Sequence, residues 1–219
     1  MTDVDRGYQV LSIDDLDRYT TLNGTQVLRP LRRRLGFRPF GLNVWVGEHA
    51  DDHVIEPHRE PNGPEELYVV LRGSARFTLG DEQFDAPVGT LVHAPPNVFR
   101  EAIATEDGTT VLAMGAKAGE AFSPSPWEDF FVAYAELRDG NVDRGRAAML
   151  EALERDPDEW QGAFNAACFE ALAGQTDAAF DYLRRAVELD AAEVRRYAPD
   201  DSDFDSIRTD PRFAEVLGR

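Results

Sequence analysis

The sequence predicts a two-part chain, an antiparallel β-barrel followed by an all-α array of helical hairpins. Between Phe40 and Gly115 the chain is a series of short runs rich in Val, Leu, Phe and Tyr, separated by Gly, Pro and Asp. That is the pattern of strands and turns with no helices between them, hence of a sandwich or barrel. After Gly119 the vocabulary changes to Ala, Leu, Arg and Glu at helical spacing. This second half also repeats itself every 34 residues: Phe130 with Phe164, Gly140 with Gly174, Asp143 with Asp177, Ala152 with Ala186, and Asp156 with Asp190.

Taken in order, residues 8–35 offer IDDLDRY and an arginine-rich segment, LRPLRRRLGF, as short helices that cover the sheet or its edge. In the latter, Leu28, Leu31 and Leu35 fall at helical spacing, so Arg29, Arg32, Arg33 and Arg34 are expected on a solvated helix face. GLNVWVG, EELYVVL, SARFTLG, EQFDA, TLVHAPP and TVLAMG each suit a strand of 4 to 8 residues. Gly80-Asp81 reads as the tight turn of a hairpin. AFSPSPW, with Ser125 as cap and Pro126 in the first turn, starts the helical half. The expected organisation is lead-in segments over 1–37, a β-barrel over 38–118, a linker over 119–126 and a helical domain over 127–219.

A 34-residue period with a helix–turn–helix in each unit is the tetratricopeptide signature. Small residues (Gly140, Gly174, Ala152, Ala186) are expected where paired helices approach closely, and the segment after residue 190 begins a further helix. Two and a half units are marginal for a free-standing array, so capping by neighbouring segments is expected.

Composition narrows the function classes. The chain has 219 residues, of which 42% are apolar, so it can bury a core. No apolar run approaches the roughly 18 residues of a membrane span, and Met1 leads into acidic sequence, so neither a span nor a secretory leader is expected. The net charge of −18 disfavours nucleic acid as a partner. One cysteine, Cys168, suits a reducing, cytoplasmic location, and its helical apolar surroundings make it a buried thiol rather than a nucleophile. There is no Gly-x-Ser-x-Gly elbow, phosphate-binding loop or dinucleotide fingerprint. Among the aromatics, Trp45, Tyr68, Phe77, Phe84 and Phe99 alternate along strands as core, some of them lining a barrel mouth with Arg72, Arg76 or Arg100.

The string HREPNGPEELYVVLRG, beginning at His58, resembles the first motif of the cupin superfamily, with Glu66 to Gly73 fitting its Glu-x6-Gly part. The second motif can be laid on Gly89, Pro95, Asn97, Arg100 and Ala104, where Arg100 stands in the place of the metal-binding His and Ala104 in that of the family Asn. The resemblance covers about residues 38–117 and implies a double-stranded β-helix barrel. The whole chain also resembles an uncharacterised bacterial family in which a cupin precedes tetratricopeptide repeats. Cupins often dimerise, so a homodimer is implied.

Metal cupins use three imidazoles and a carboxylate around iron, manganese, nickel or zinc. Here His58 is the one clear imidazole, Glu60 two residues on shares its strand face, Glu66 supplies the carboxylate, and Glu65 faces away. His93 joins the set if it points inward, whereas His49 and His53, beside Asp51 and Asp52, read as surface. Arg100 cannot ligate a cation and would pair with Glu60 or Glu66, replacing the ion with an internal Arg–carboxylate pair. The preferred reading is a metal-free pocket formed by His58, Glu60, Glu66, His93 and Arg100 that takes a small anionic ligand, with the repeats receiving a protein or peptide partner, basic rather than acidic. The alternative is a mononuclear metal enzyme, an oxygenase or isomerase of a small organic acid, using His58, Glu60 and Glu66. A metal-free variant would employ His58 as general base oriented by Glu66, as in cupin-fold sugar epimerases.

Overall fold

In the computed structural model, which describes residues 8–20, 26–60, 63–124 and 126–218, the chain divides after Pro124 into two compact units. The first begins with a one-turn 3-10 helix at Ile13–Asp15, closed by a capping box: Ser12 accepts from the Asp14 amide and Asp15 reaches back to the Ser12 amide. Strands β1 (Tyr19–Thr20) and β2 (Val27–Arg29) and helix α1 (Leu31–Leu35) follow. Then come β3 (Gly41–Gly47), β4 (His53–His58), β5 (Glu65–Arg72), β6 (Ser74–Leu79), β7 (Glu82–Pro87), β8 (Leu91–Ala94), β9 (Arg100–Ala104) and β10 (Thr109–Ala116).

All pairings are antiparallel, in two sheets ordered β1-β2-β3-β10-β5-β8 and β4-β9-β6-β7. From β3 onward the chain passes back and forth between the sheets, which is jelly-roll topology. The six predicted runs became β3, β5, β6, β7, β8 and β10, and Gly80-Asp81 joins β6 to β7 with Gly80 in the left-handed region (φ 59°). The facing sides close on one core of Val54, Ile55, Tyr68, Val70, Phe77, Val92 and Val111 with a lining of alanines.

Two expectations for the lead-in need correction. Leu28 lies in β2, which pairs with β3, so the arginine-rich helix starts only at Leu31 and the β unit reaches well upstream of residue 38. Arg29 does not sit on a solvated helix face: from β2 its Nη1 donates to the carbonyls of Ile13 (2.8 Å) and Leu16 (3.4 Å), and Arg32 is buried.

The second unit contains α2 (Pro126–Arg138), α3 (Val142–Arg155), α4 (Trp160–Leu172), α5 (Thr176–Tyr197) and α6 (Pro211–Val216). Pro126 opens α2 as expected, while the Ser125 cap falls outside the described residues. Helix starts at 126 and 160, and at 142 and 176, keep the 34-residue period. So do the stops. At the end of α2, Gly140 donates to the Leu137 carbonyl and Asn141 to that of Glu136; at the end of α4, Gly174 donates to Ala171 and Gln175 to Glu170. Both are Schellman closures around a left-handed glycine (φ 82° and 73°). Asp156 after α3 (φ −141°, ψ 81°) and Asp190 within α5 (φ −149°, ψ 89°) share an extended break, and Asp190 caps the next turns through the amides of Ala192 and Glu193.

The conserved period therefore records turn geometry, which corrects the packing role expected of Gly140 and Gly174: an added Cβ would meet nothing within 4 Å at either. Close approach falls instead to Gly145, where a Cβ would stand 2.7 Å from the Ala133 carbonyl oxygen and 2.7 Å from the Phe169 ring. Because one obstacle is helix backbone, Gly145→Ala is expected to cost about 1–3 kcal/mol despite alanine's better helix propensity. A urea midpoint equal to or above that of the parent would refute the close contact. Helix α4 is buried along its length from Gly162 to Ala171, with Phe204 from the segment after α5 edge-on to Phe164 (centroids 5.4 Å). Ionic clamps join the helices: Arg146 forks onto Glu170 (2.7 and 2.9 Å) and Arg155 pairs with fully buried Asp129.

Candidate functional site

The site is assembled by strand register. In β4 and β9, His58 and Arg100 are direct cross-strand partners, and on β5 Glu66 lies opposite Ala94 of β8 and Gly115 of β10. Alternation along β5 aims Glu66 and Tyr68 to the inside and Glu65 to the outside. Two glycines make room for the carboxylates. A Cβ at Gly115 would meet Glu66 Cγ at 2.9 Å, and one at Gly63 would meet Glu60 Oε2 at 2.6 Å.

Three groups converge on one oxygen. Glu66 Oε2 accepts a 2.5 Å hydrogen bond from the Tyr68 hydroxyl, lies 3.5 Å from Arg100 Nε and 3.7 Å from His58 Nε2. Arg100 is fully buried. Its Nη2 donates to the carbonyls of Pro95 (2.8 Å) and Ala94 (3.4 Å), while among the described residues neither Nε nor Nη1 has a hydrogen-bond acceptor. His58 Nδ1 lies 2.7 Å from the Glu56 carbonyl oxygen, which fixes the proton on that nitrogen and turns Nε2 toward Glu66 and toward Glu60 Oε1, 3.9 Å away.

These contacts set the charges. Burial pushes the Glu66 carboxyl up, but His58, the Tyr68 hydroxyl and the Arg100 guanidinium together bring it below its ordinary value. Burial lowers His58, yet Glu66, the Glu56 carbonyl and Glu60 outweigh it and the net shift is upward. Glu60 is raised, by desolvation and then by the charge on Glu66. Burial and Glu66 hold the Tyr68 phenol far above its usual range, so it remains a donor. The site thus holds a guanidinium, a carboxylate favoured in its charged form, and a more open His58–Glu60 couple in which both groups hold their protons more tightly than usual. Tyr68→Phe is expected to raise Glu66 and, by weakening its charge, lower His58. An NMR titration of the His58 ring with an unchanged midpoint would refute the coupling.

His93, expected as a pocket member, is not among these residues: it alternates outward on β8, exposed, 3.4 Å from Glu65. Glu60 reaches the site by another route than expected. Strand β4 ends at His58, and Glu60 is held in the following loop, its carbonyl accepting from the amides of Gly63 (3.1 Å) and Asn97 (3.2 Å). Arg72 and Arg76 face away, paired with Asp14 and Asp85, so neither lines the mouth. His53 meets Glu101 at 3.1 Å and His49 is exposed. Tyr68, expected as core, joins the site through its hydroxyl, and its position two residues from Glu66 on one strand is the sequence signal for it.

The donor set does not suit a divalent cation. One imidazole and two carboxylates are present, but the Arg100 guanidinium already stands beside the carboxylate that would ligate, its Nε 3.5 Å from Glu66 Oε2, and a guanidinium repels a metal ion. Among the described residues, only Cys168, Asp201 and Asp203 bring three ligand atoms within 4.8 Å of one another. There burial and the neighbouring aspartates hold the Cys168 thiol well above its ordinary value, so it is a protonated group donating to Asp201 Oδ2 (3.8 Å).

The β unit is of the class of jelly rolls to which cupins belong. The chain is similar to a sugar phosphate isomerase of the cupin superfamily from Silicibacter pomeroyi (17% identity, 50% of this chain and 76% of that one, TM-score 0.45). It is similar also to a predicted oxalate decarboxylase from Thermotoga maritima (13%, 50% and 99%, 0.41) and to a cupin protein from Bacteroides fragilis (22%, 55% and 92%, 0.39). No protein-family model and no curated protein matches the sequence. No helix among the described residues is long and apolar enough to cross a membrane.

Proposed function

We propose that the β unit is a metal-free, cupin-like barrel that binds a small organic ligand at the His58–Glu60–Glu66 mouth. The observation that carries this reading is Arg100, a fully buried guanidinium 3.5 Å from Glu66 Oε2, which balances that carboxylate as a metal ion would. The remaining groups, His58 and Glu60, are part-exposed and suited to hydrogen bonding and proton exchange with a ligand. A metal-dependent oxygenase or isomerase would need a ligand set that this guanidinium opposes. The test is elemental analysis of untagged protein prepared without chelators, alongside Glu66→Gln. Iron, manganese, nickel and zinc well below one equivalent are expected in both. Near-stoichiometric metal that disappears in the variant would overturn the reading.

The helical unit is read as two tetratricopeptide-like hairpins that receive a basic peptide. In support, its paired Schellman closures and extended breaks recur 34 residues apart, and residues 121–219 contain 22 acids against 11 bases. Fluorescence anisotropy with Arg-rich and Glu-rich peptides of equal length tests it. Salt-sensitive binding of the basic peptide alone is expected, and equal affinity or none for it would count against the reading.

A further inference from the structure

We propose that the mouth of the β unit selects a neutral polyhydroxylated ligand, one presenting adjacent hydroxyl groups, over carboxylates and phosphates. The proposal rests on the small-ligand reading above and reverses the anionic ligand that Arg100 suggests in the sequence.

Access decides the matter. Arg100 is the fixed cation of the site, but its side chain has no exposed surface. Nη2 is committed to two backbone carbonyls, Nε faces Glu66, and Nη1, though without an acceptor, is as closed as the rest. An anion arriving from solvent cannot touch it without displacing Glu66. What solvent meets is His58 (35% exposed), Glu60 (37%) and, less so, Glu66 (17%). Lys117, a flexible cation whose charge acts on Glu60, pairs with Glu120 at 3.7 Å. A carboxylate or phosphate would therefore confront two carboxylates, with only a shared imidazolium in its favour.

A cation gains little either. With His58 protonated, two carboxylates are balanced by one imidazolium and one guanidinium, so the mouth has no strong preference of sign. Its hydrogen-bonding inventory is lopsided instead: the carboxylates of Glu60 and Glu66 accept, and the donor that His58 offers, when protonated, is Nε2–H, Nδ1 being tied to Glu56. Adjacent hydroxyls match that inventory. Each donates to a carboxylate oxygen, and one of them accepts from Nε2–H. Bonds to ionised acceptors are the stronger kind, and they discriminate against a ligand that has only acceptors to offer.

The experiment is NMR of the full chain at neutral pH, following the His58 ring signals, assigned by their loss in His58→Gln. The probes are methyl α-D-mannopyranoside and myo-inositol as neutral diols, acetate and inorganic phosphate as anions, and methylammonium as a cation. Saturable shifts with the diols alone are expected, weakened about tenfold or more in Glu60→Gln, which alters a half-buried loop residue and leaves the melting midpoint close to the parent's. Saturation by acetate, phosphate or methylammonium in preference to the diols overturns the proposal, and so does silence with all five probes. Metal content measured on the same sample separates the two readings. Bound metal defeats the metal-free site itself, whereas metal-free protein that prefers anions defeats only the selectivity.

Discussion

Arg100→Met is expected to destabilise the β unit by about 3–5 kcal/mol, because it strands the Glu66 carboxylate in the barrel without its buried counter-charge. Glu66→Gln is expected to be costly in turn, since it leaves a guanidinium with no exposed surface facing a neutral amide while Nη1 still lacks an acceptor. Combining the two removes both charges, and the double variant should regain much of the loss, as buried ion pairs replaced together by neutral groups commonly do. The check is a double-mutant cycle from urea midpoints read by far-UV circular dichroism. Additive losses, with the double variant worse than either single one, would mean that Arg100 and Glu66 are held by separate partners and that the pair is not the internal charge balance of the site. The Tyr68 hydroxyl limits the asymmetry of the cycle: it stays on Oε2 in Arg100→Met and keeps Glu66 anchored, so Glu66 should remain in place while its acidity weakens.

Much of the barrel is legible in the sequence because its apolar strands alternate. GLNVWVG and EELYVVL predict β3 and β5 nearly to the residue, since they are rich in β-formers and Tyr68 and Val70, two apart on β5, face the core with Trp45 of β3 packed against it. Apart from the short β1 and β2 of the lead-in, the strands that no apolar run announces are β4 and β9, and they carry His58 and Arg100. REAIA turns Arg100, Ala102 and Ala104 inward, a charge and two small side chains that no hydrophobic pattern detects, and HVIEPH contains a proline and register shifts against β9. The segments hardest to read as strands are thus the ones bent to functional use, and motif spacing rather than periodicity located them. The inward partner Tyr68 was hidden for the opposite reason. A tyrosine in an apolar strand looks like core, and it is core in every atom but its hydroxyl. In the helical unit, repetition exposed the hairpins, yet it pointed to the glycines that end helices rather than to Gly145, which lets helices touch.

Asp203→Asn is expected to stabilise the helical unit at pH 8 by about 1–2 kcal/mol. Burial, followed by the charges of Asp201 and Asp205, pushes the Asp203 carboxyl from 3.8 up to about 6, against a small opposing bond from Cys168. A raised carboxyl means that the folded chain holds its proton more tightly than the unfolded one, so stability falls as pH rises through the interval from about 4 to 6 and stays lost above it. The full interval corresponds to about 3 kcal/mol. Asp203 is only half-buried, and solvent screening reduces the figure to the range expected. The same segment sets Phe204 against Phe164 of α4, so the gain should appear in the helical signal. Urea midpoints of parent and variant from pH 8 down to pH 4 provide the measurement. The parent should gain stability relative to the variant on acidification through 6, with about half of the difference left at pH 5, and the two curves should converge near pH 4. Parallel curves across that window would show that Asp203 titrates as an ordinary surface carboxylate and that the three aspartates do not crowd one another in the folded chain.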